Sequence, residues 1–180
     1  MRRTLLITSA VALAAAAASV GFTQTSNRSP QLDDATIVAI FDAANTADIE
    51  TGTLAVQRAQ RANVREYAEM LARDHKAVRQ LGRDLAGKLN VTPTPPADSS
   101  SAVRHRTAMK QLRSVPAANF DRAFLEHEIA FHQAVIEAMN STLLPAIQNG
   151  ELKALVLKVV PAFDAHRLAA EHLLEKGSSK

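Results

Sequence analysis

Three histidines, His75, His132 and His166, fall on the apolar stripes of three different predicted helices, where a side chain faces a bundle interior rather than water. Two carboxyl groups share that placement: Asp48 on the first predicted helix, and Glu128 one turn before His132. Burying an imidazole or a carboxylate in an apolar face is unfavourable unless the group finds a partner. Two arrangements would satisfy all five groups together, a hydrogen-bonded core network or the coordination of one metal ion. Imidazole mixed with carboxylate suits Zn, Fe, Mn, Cu or Ni, so a divalent transition metal is the cofactor such a set would take. The chain has no Cys, which excludes thiolate sites, thiol redox chemistry and disulfides.

Angular position separates these five residues from the other titratable ones. At 100° per residue, Glu128 and His132 lie near the middle of the apolar arc of their helix, whereas His127 lies at its edge. His75 stacks with Ala68, Leu71 and Val78, and Asp74 lies toward the stripe's other edge. His166 shares a side with Leu152, Leu155, Val159 and Leu173, while His172 faces away. Asp48 aligns with Phe41, Ala44 and Ala55, and Glu50 points roughly opposite. His105, between Arg104 and Arg106, is expected on an exposed, charged short helix. A di-iron carboxylate site of the usual kind needs Glu-x-x-His motifs, and none occurs at His75, His132 or His166. No Ser follows a nucleophile-elbow pattern, so no catalytic residue is assigned and the expectation is binding rather than catalysis.

The elements that must position these groups read as helices. Aromatics make up 4% of the 180 residues, and Ala, Leu and Val are abundant, which suits helix-on-helix packing better than a sheet. Asp33-Asp34 offers an N-cap and a favourable charge for a helix over 36–62. Asn63 is a plausible break before a second helix over 64–89. Residues 92–101, with Pro93, Pro95, Pro96 and three serines, read as a non-helical connection. A short helix over 102–115 ends at Pro116, and Asn119 would cap a third long helix through Met139. Pro145 and Asn149-Gly150 mark the next turn, before a fourth helix over 151–176 that Pro161 should kink. Two tight helical pairs joined by a connection of about thirty residues is the wiring of a ferritin-like bundle, with helices two and three parallel. The expected fold is therefore all-α: a ferritin-like four-helix bundle over 34–176, with a long crossover between helices 2 and 3 containing a short extra helix.

The N-terminus has the layout of a secretory signal peptide over 1–21: Arg2 and Arg3, an apolar run over 4–20, then a polar leader over 22–33. An exported protein, periplasmic or associated with the outer membrane, is the expectation. Removing residues 1–21 takes Arg2 and Arg3 away from the formal charge of +3 and leaves +1. Nearly neutral and with dispersed charge, such a chain has no nucleic-acid footprint. Its expected partners lie in the cell envelope, either a protein or the membrane surface.

Three segments carry a family resemblance: Tyr67-Ala68-Glu69-Met70-Leu71-Ala72-Arg73-Asp74-His75, then Phe120-Asp121-Arg122-Ala123-Phe124-Leu125 leading to His132, then Pro161-Ala162-Phe163-Asp164-Ala165-His166. In order and spacing they resemble the DUF4142 family over about residues 34–175, the whole mature domain. The resemblance implies an exported bacterial ferritin-like four-helix domain of undetermined activity, often labelled an outer-membrane protein. The family's histidine pattern carries over onto His75, His132 and His166. This chain departs from the pattern at Asp48, four residues before Gly52, where the family usually has Glu, and at Phe124, where it tends to have Tyr. Binding of a transition-metal ion through the three histidines, supported by Asp48 or Glu128, is the leading functional expectation. It would serve metal handling or defence against oxidative or envelope stress. The alternative is a non-catalytic structural or interaction module of the envelope, its histidines and carboxyls satisfying one another.

Overall fold

The computed structural model describes residues 32–98 and 100–178. The signal-peptide expectation, and the leader up to residue 31, lie outside them. Among the described residues there are five helices longer than one turn and no strand: α1 (Asp34–Arg58), α2 (Ala62–Lys88), α3 (Ser100–Ser114), α4 (Ala117–Ala138) and α5 (Gly150–Ser178). A π-helical turn, Met139–Leu143, and a short helical turn, Leu144–Ala146, extend α4 toward α5. Among the described residues, no helix is long and apolar enough to cross a membrane.

Helix direction can be read from the two apolar clusters. One joins Ile37, Val38 and Phe41 at the start of α1 to Ala86 at the end of α2, Met139 and Leu143 beyond α4, and Leu152 and Val156 at the start of α5. The other joins Ala55 and Ala59 to Val64 and Ala68, Phe120 and Phe124, and Ala170. The starts of α2 and α4 therefore lie at one end of the bundle, and the starts of α1 and α5 at the other. This is the expected order: two antiparallel hairpins, with α2 and α4 parallel across the crossover. Between the two clusters, midway along the helices, lies the layer that holds Asp48, His75, Glu128 and His132.

Tertiary contacts moved several helix boundaries away from their expected places. α1 stops at Arg58 rather than near residue 62, because the Asp121 carboxylate of α4 accepts the backbone N–H of Gln60 at 2.8 Å and of Arg61 at 2.9 Å. Asn63 is not the break; it lies inside α2. Ser100 and Ser101, expected in the connection, are helical, since Asp98 accepts from the Ser100 N–H (2.8 Å) and Oγ (2.9 Å). Asn119 does not cap α4; the helix starts at Ala117 behind Pro116, whose extended backbone (φ −57°, ψ 145°) makes it the N-cap without a side-chain hydrogen bond. Asp33 does cap α1, accepting the Thr36 N–H at 2.8 Å, while Asp34 reaches across to the N–H groups of Gln148 (2.9 Å) and Asn149 (2.8 Å). Pro161 lies within a helix that continues unbroken to Ser178.

Two further contacts hold the scaffold around the site. Gly52, one turn after Asp48, lets α1 approach α2: a Cβ there would lie 3.0 Å from the Ala68 carbonyl oxygen and 3.3 Å from the Ala72 Cβ. The Arg58 guanidinium donates to the Leu112, Arg113 and Val115 carbonyls at 2.6, 2.7 and 2.6 Å, and lies 4.6 Å over the Phe120 ring. Those carbonyls belong to the end of α3 and the residue after it, where a helix lacks partners of its own. One side chain thus closes that helix and fastens it to the bundle.

Candidate metal centre

All five residues singled out by sequence are buried in this layer: His75 and Asp48 are 1% exposed, Glu128 and His132 0%, and His166 6%. α1 supplies Asp48, α2 His75, α4 Glu128 and His132, and α5 His166. The three imidazoles form a triangle, with ring centres 5.5 Å (His75–His132), 5.1 Å (His75–His166) and 5.6 Å (His132–His166) apart. The Phe163 ring packs against two of them, edge-on to His75 at 4.9 Å and tilted to His132 at 5.8 Å.

Each imidazole is fixed from outside by one nitrogen. His75 Nδ1 lies 2.9 Å from Asn45 Oδ1 and 3.4 Å from Asp48 Oδ2. Asn45 donates its own amide to the Phe41 carbonyl at 2.8 Å, so its oxygen is the face it turns to the ring. His132 Nδ1 lies 2.9 Å from the Glu128 carbonyl and 3.5 Å from Glu128 Oε2. His166 Nε2 lies 3.4 Å from Asp74 Oδ2. Every one of these outer partners is an acceptor, so each outer nitrogen carries the proton and each inner one carries a lone pair. The inner nitrogens, His75 Nε2, His132 Nε2 and His166 Nδ1, are buried and have no hydrogen-bond partner. The three residues bring ligand nitrogens within 4.8 Å of one another.

Asp48 and Glu128 form a second group that shares His132, again with ligand atoms within 4.8 Å of one another. None of their four carboxyl oxygens has a hydrogen-bond partner by geometry. Burial pushes the Asp48 carboxyl well above the usual carboxylate range, reinforced by repulsion from Glu128 and a shared proton. Burial likewise raises Glu128 to about 7, with interactions from Thr51 and Asp48 pulling the other way. The histidines move in the opposite sense. Burial lowers His75 to about 2, helped by repulsion from His132 and His166. It lowers His132 to about 4 despite the Glu128 carbonyl, and lowers His166 against the pull of Asp74. The layer is therefore three neutral imidazoles beside a carboxyl pair that resists losing both protons, a donor set that lacks positive charge.

Some of the placements differ from expectation. His105 is not on a free surface: its Nε2 lies 2.8 Å from Glu50 Oε2, and only 20% of its side chain is exposed, because α3 folds back against α1. His127 is partly buried, and burial lowers it to about 4. His172 is exposed as expected. Sequence reading overlooked Asn45, although it precedes Asp48 by one turn on the same stripe, and Asp74, which the edge of the stripe disguised. Tyr67, also buried, donates its hydroxyl to the His166 carbonyl at 3.2 Å and so braces α5 against α2.

Two solved structures share this architecture. A DUF305 fragment from Deinococcus radiodurans is 19% identical, with 82% of this chain and 97% of that one covered and a TM-score of 0.70. CopM in its Cu(II)-bound form is 18% identical, with 81% of this chain and 98% of that one covered and a TM-score of 0.61. At those identities the likeness is one of fold. No curated protein sequence matches the chain. The model of the domain of unknown function DUF4142 matches residues 20–173, and with its three histidine segments, its helical wiring and its mid-bundle polar layer the chain belongs to that family.

Proposed function

We propose that this protein binds one transition-metal ion through His75 Nε2, His132 Nε2 and His166 Nδ1. Two observations together carry this reading: each of the three histidines brings a ring nitrogen within 4.8 Å of the others', and each has one buried ring nitrogen without a partner on a ring whose other nitrogen is held by an acceptor. Metal-bound histidines are oriented in this way, by a carboxylate, carbonyl or amide oxygen on the far nitrogen. An ion about 2.0–2.1 Å from each nitrogen would bring them to roughly 3.3 Å apart, a closure that small ring rotations supply.

A self-contained hydrogen-bond network accounts for the site less well. Three buried ring nitrogens are left without a partner, and the proton shared by Asp48 and Glu128 still leaves other oxygens of the pair without a donor. Buried polar groups left in that state each cost about 1–3 kcal/mol. One cation removes the deficit at the nitrogens, and the Asp48–Glu128 pair supplies negative charge next to it. One divalent ion beside the two carboxyl groups balances the layer's charge, which favours a mononuclear site. Copper and zinc both suit imidazole. The fold shared with CopM, whose structure holds Cu(II), supports copper as the first metal to test. The basic and apolar N-terminal segment supports metal handling outside the cytoplasm.

The test is equilibrium dialysis of the mature domain against single metals, followed by thermal unfolding. One ion per chain should bind and raise the melting temperature. At a hundredfold excess over Kd the gain is about 2.7 kcal/mol. Both effects should vanish in the H75A/H132A/H166A variant. Wild-type protein that takes up neither Cu(I), Cu(II), Zn(II) nor Fe(II), with or without oxygen, would sink the proposal.

A further inference from the structure

The three ligands differ in how they meet the solvent, and the difference bears on how an ion gets in. Resting on the metal reading above, we infer that the ion enters and leaves past His166, with Asp74 as the surface carboxylate that first takes it. The outer partners of His75 and His132 are themselves sealed: Asn45 and Glu128 are both 0% exposed. The outer partner of His166 is not, since 37% of the Asp74 side chain faces water. His166 is also the most exposed of the three histidines. Its outer contact with Asp74 is 3.4 Å long, whereas His75 and His132 each have an outer contact of 2.9 Å. This imidazole therefore spans the wall of the bundle, one nitrogen toward solvent and the other among the inner lone pairs.

A carboxylate at that place can do two things. It holds the His166 N–H, keeping the inner nitrogen free, and it attracts a hydrated cation to the side of the bundle where His166 comes nearest to water. When the cation takes the Asp74 oxygen, the ring loses its outer partner and can swing aside on its own side-chain torsions. Arg73 opposes capture: its Nε and a terminal guanidinium nitrogen lie 3.1 and 3.0 Å from Asp74 Oδ1, and its side chain is 70% exposed. The arginine is thus a competitor for the charge that draws the ion in.

Stopped-flow mixing with Cu(II) alone, then with excess chelator, separates the route from the site. At an ionic strength of about 0.01 M, where exposed charges are weakly screened, D74N should associate about ten-fold more slowly than wild type. The amide still accepts from His166, so release into chelator should slow as well, and affinity should fall by less than the association rate. R73A should associate faster than wild type. D84N, which removes an exposed carboxylate elsewhere on α2, should behave as wild type. The gap between D74N and wild type should narrow at about 0.15 M salt. An unchanged association rate in D74N, whether or not release quickens, overturns the route and leaves Asp74 only a positioning residue. Equal slowing by D84N overturns it too, as an effect of overall charge. If wild type binds no metal at equilibrium, the site itself fails and the route with it.

Discussion

Asn45 Oδ1 lies 2.9 Å from His75 Nδ1, and that contact, made wholly inside the bundle, fixes the ring while its opposite nitrogen stays buried and without a partner. Removing it leaves the His75 N–H to the more distant Asp48 carboxyl at 3.4 Å, and the ring free to turn. N45A should therefore weaken metal binding by about 10–100-fold although every ligand is still present. N45D, which keeps an acceptor in place, should lose far less. Competition against a chelator of known affinity measures both. Equal affinities for N45A and wild type would show that the contact does not orient the ligand.

The carboxyl pair makes a prediction with a definite sign. In the metal-free protein Glu128 titrates near 7, against 4.5 in the unfolded chain. Below 4.5 both states hold the proton and the group is neutral to stability. As the pH rises from 4.5 to 7 the unfolded chain loses its proton first, and the folded state is progressively disfavoured. E128Q removes this penalty. It should be more stable than wild type above pH 7 by about 3 kcal/mol at most, with the difference fading toward pH 4.5. Denaturant unfolding at pH 4.5, 6 and 8 checks it. With metal bound the order should reverse, because the variant lacks a charge that balances the ion.

Arg58 offers a test far from the metal. Its three short hydrogen bonds close the end of α3, and its stacking on Phe120 ties that helix to the bundle. R58A should cost about 2–3 kcal/mol, since three charge-assisted bonds, two of them part-buried, are lost together. R58K should recover only part, because one ammonium cannot span the three carbonyls. Hydrogen exchange should locate the loosening in residues 100–116 and spare the amides around His75 and His132. Uniform loss of protection across all five helices would contradict so local a role.

The contrast between Asp48 and Asp121 shows what the sequence could tell and what it could not. Asp48 stands out because periodicity alone places a charged residue on an apolar stripe, and the same holds for His75, Glu128, His132 and His166. Those positions depend only on the helix repeat, which the chain carries locally. Asp121 ends α1 by accepting two N–H groups about sixty residues away, and nothing near residues 59–61 announces it. Asp74 was hidden for the same reason, since its partner sits on another helix. Asn45 is different: its place one turn before Asp48 on the stripe was a local signal, overlooked because amides titrate nothing. Axial height was also beyond a periodicity argument. Only the packing of two apolar clusters, one on each side, puts four helices' polar residues at a single level.

With α1 packed tightly on α2 at Gly52, the bundle divides into two helical hairpins, α1 with α2 and α4 with α5. His75 belongs to one half, His132 and His166 to the other. An ion held by all three would act as a rivet between halves that the chain itself joins only through residues 89–116. A protein nicked in that stretch would then be two fragments joined through the shared apolar clusters, and bound metal should tighten their association.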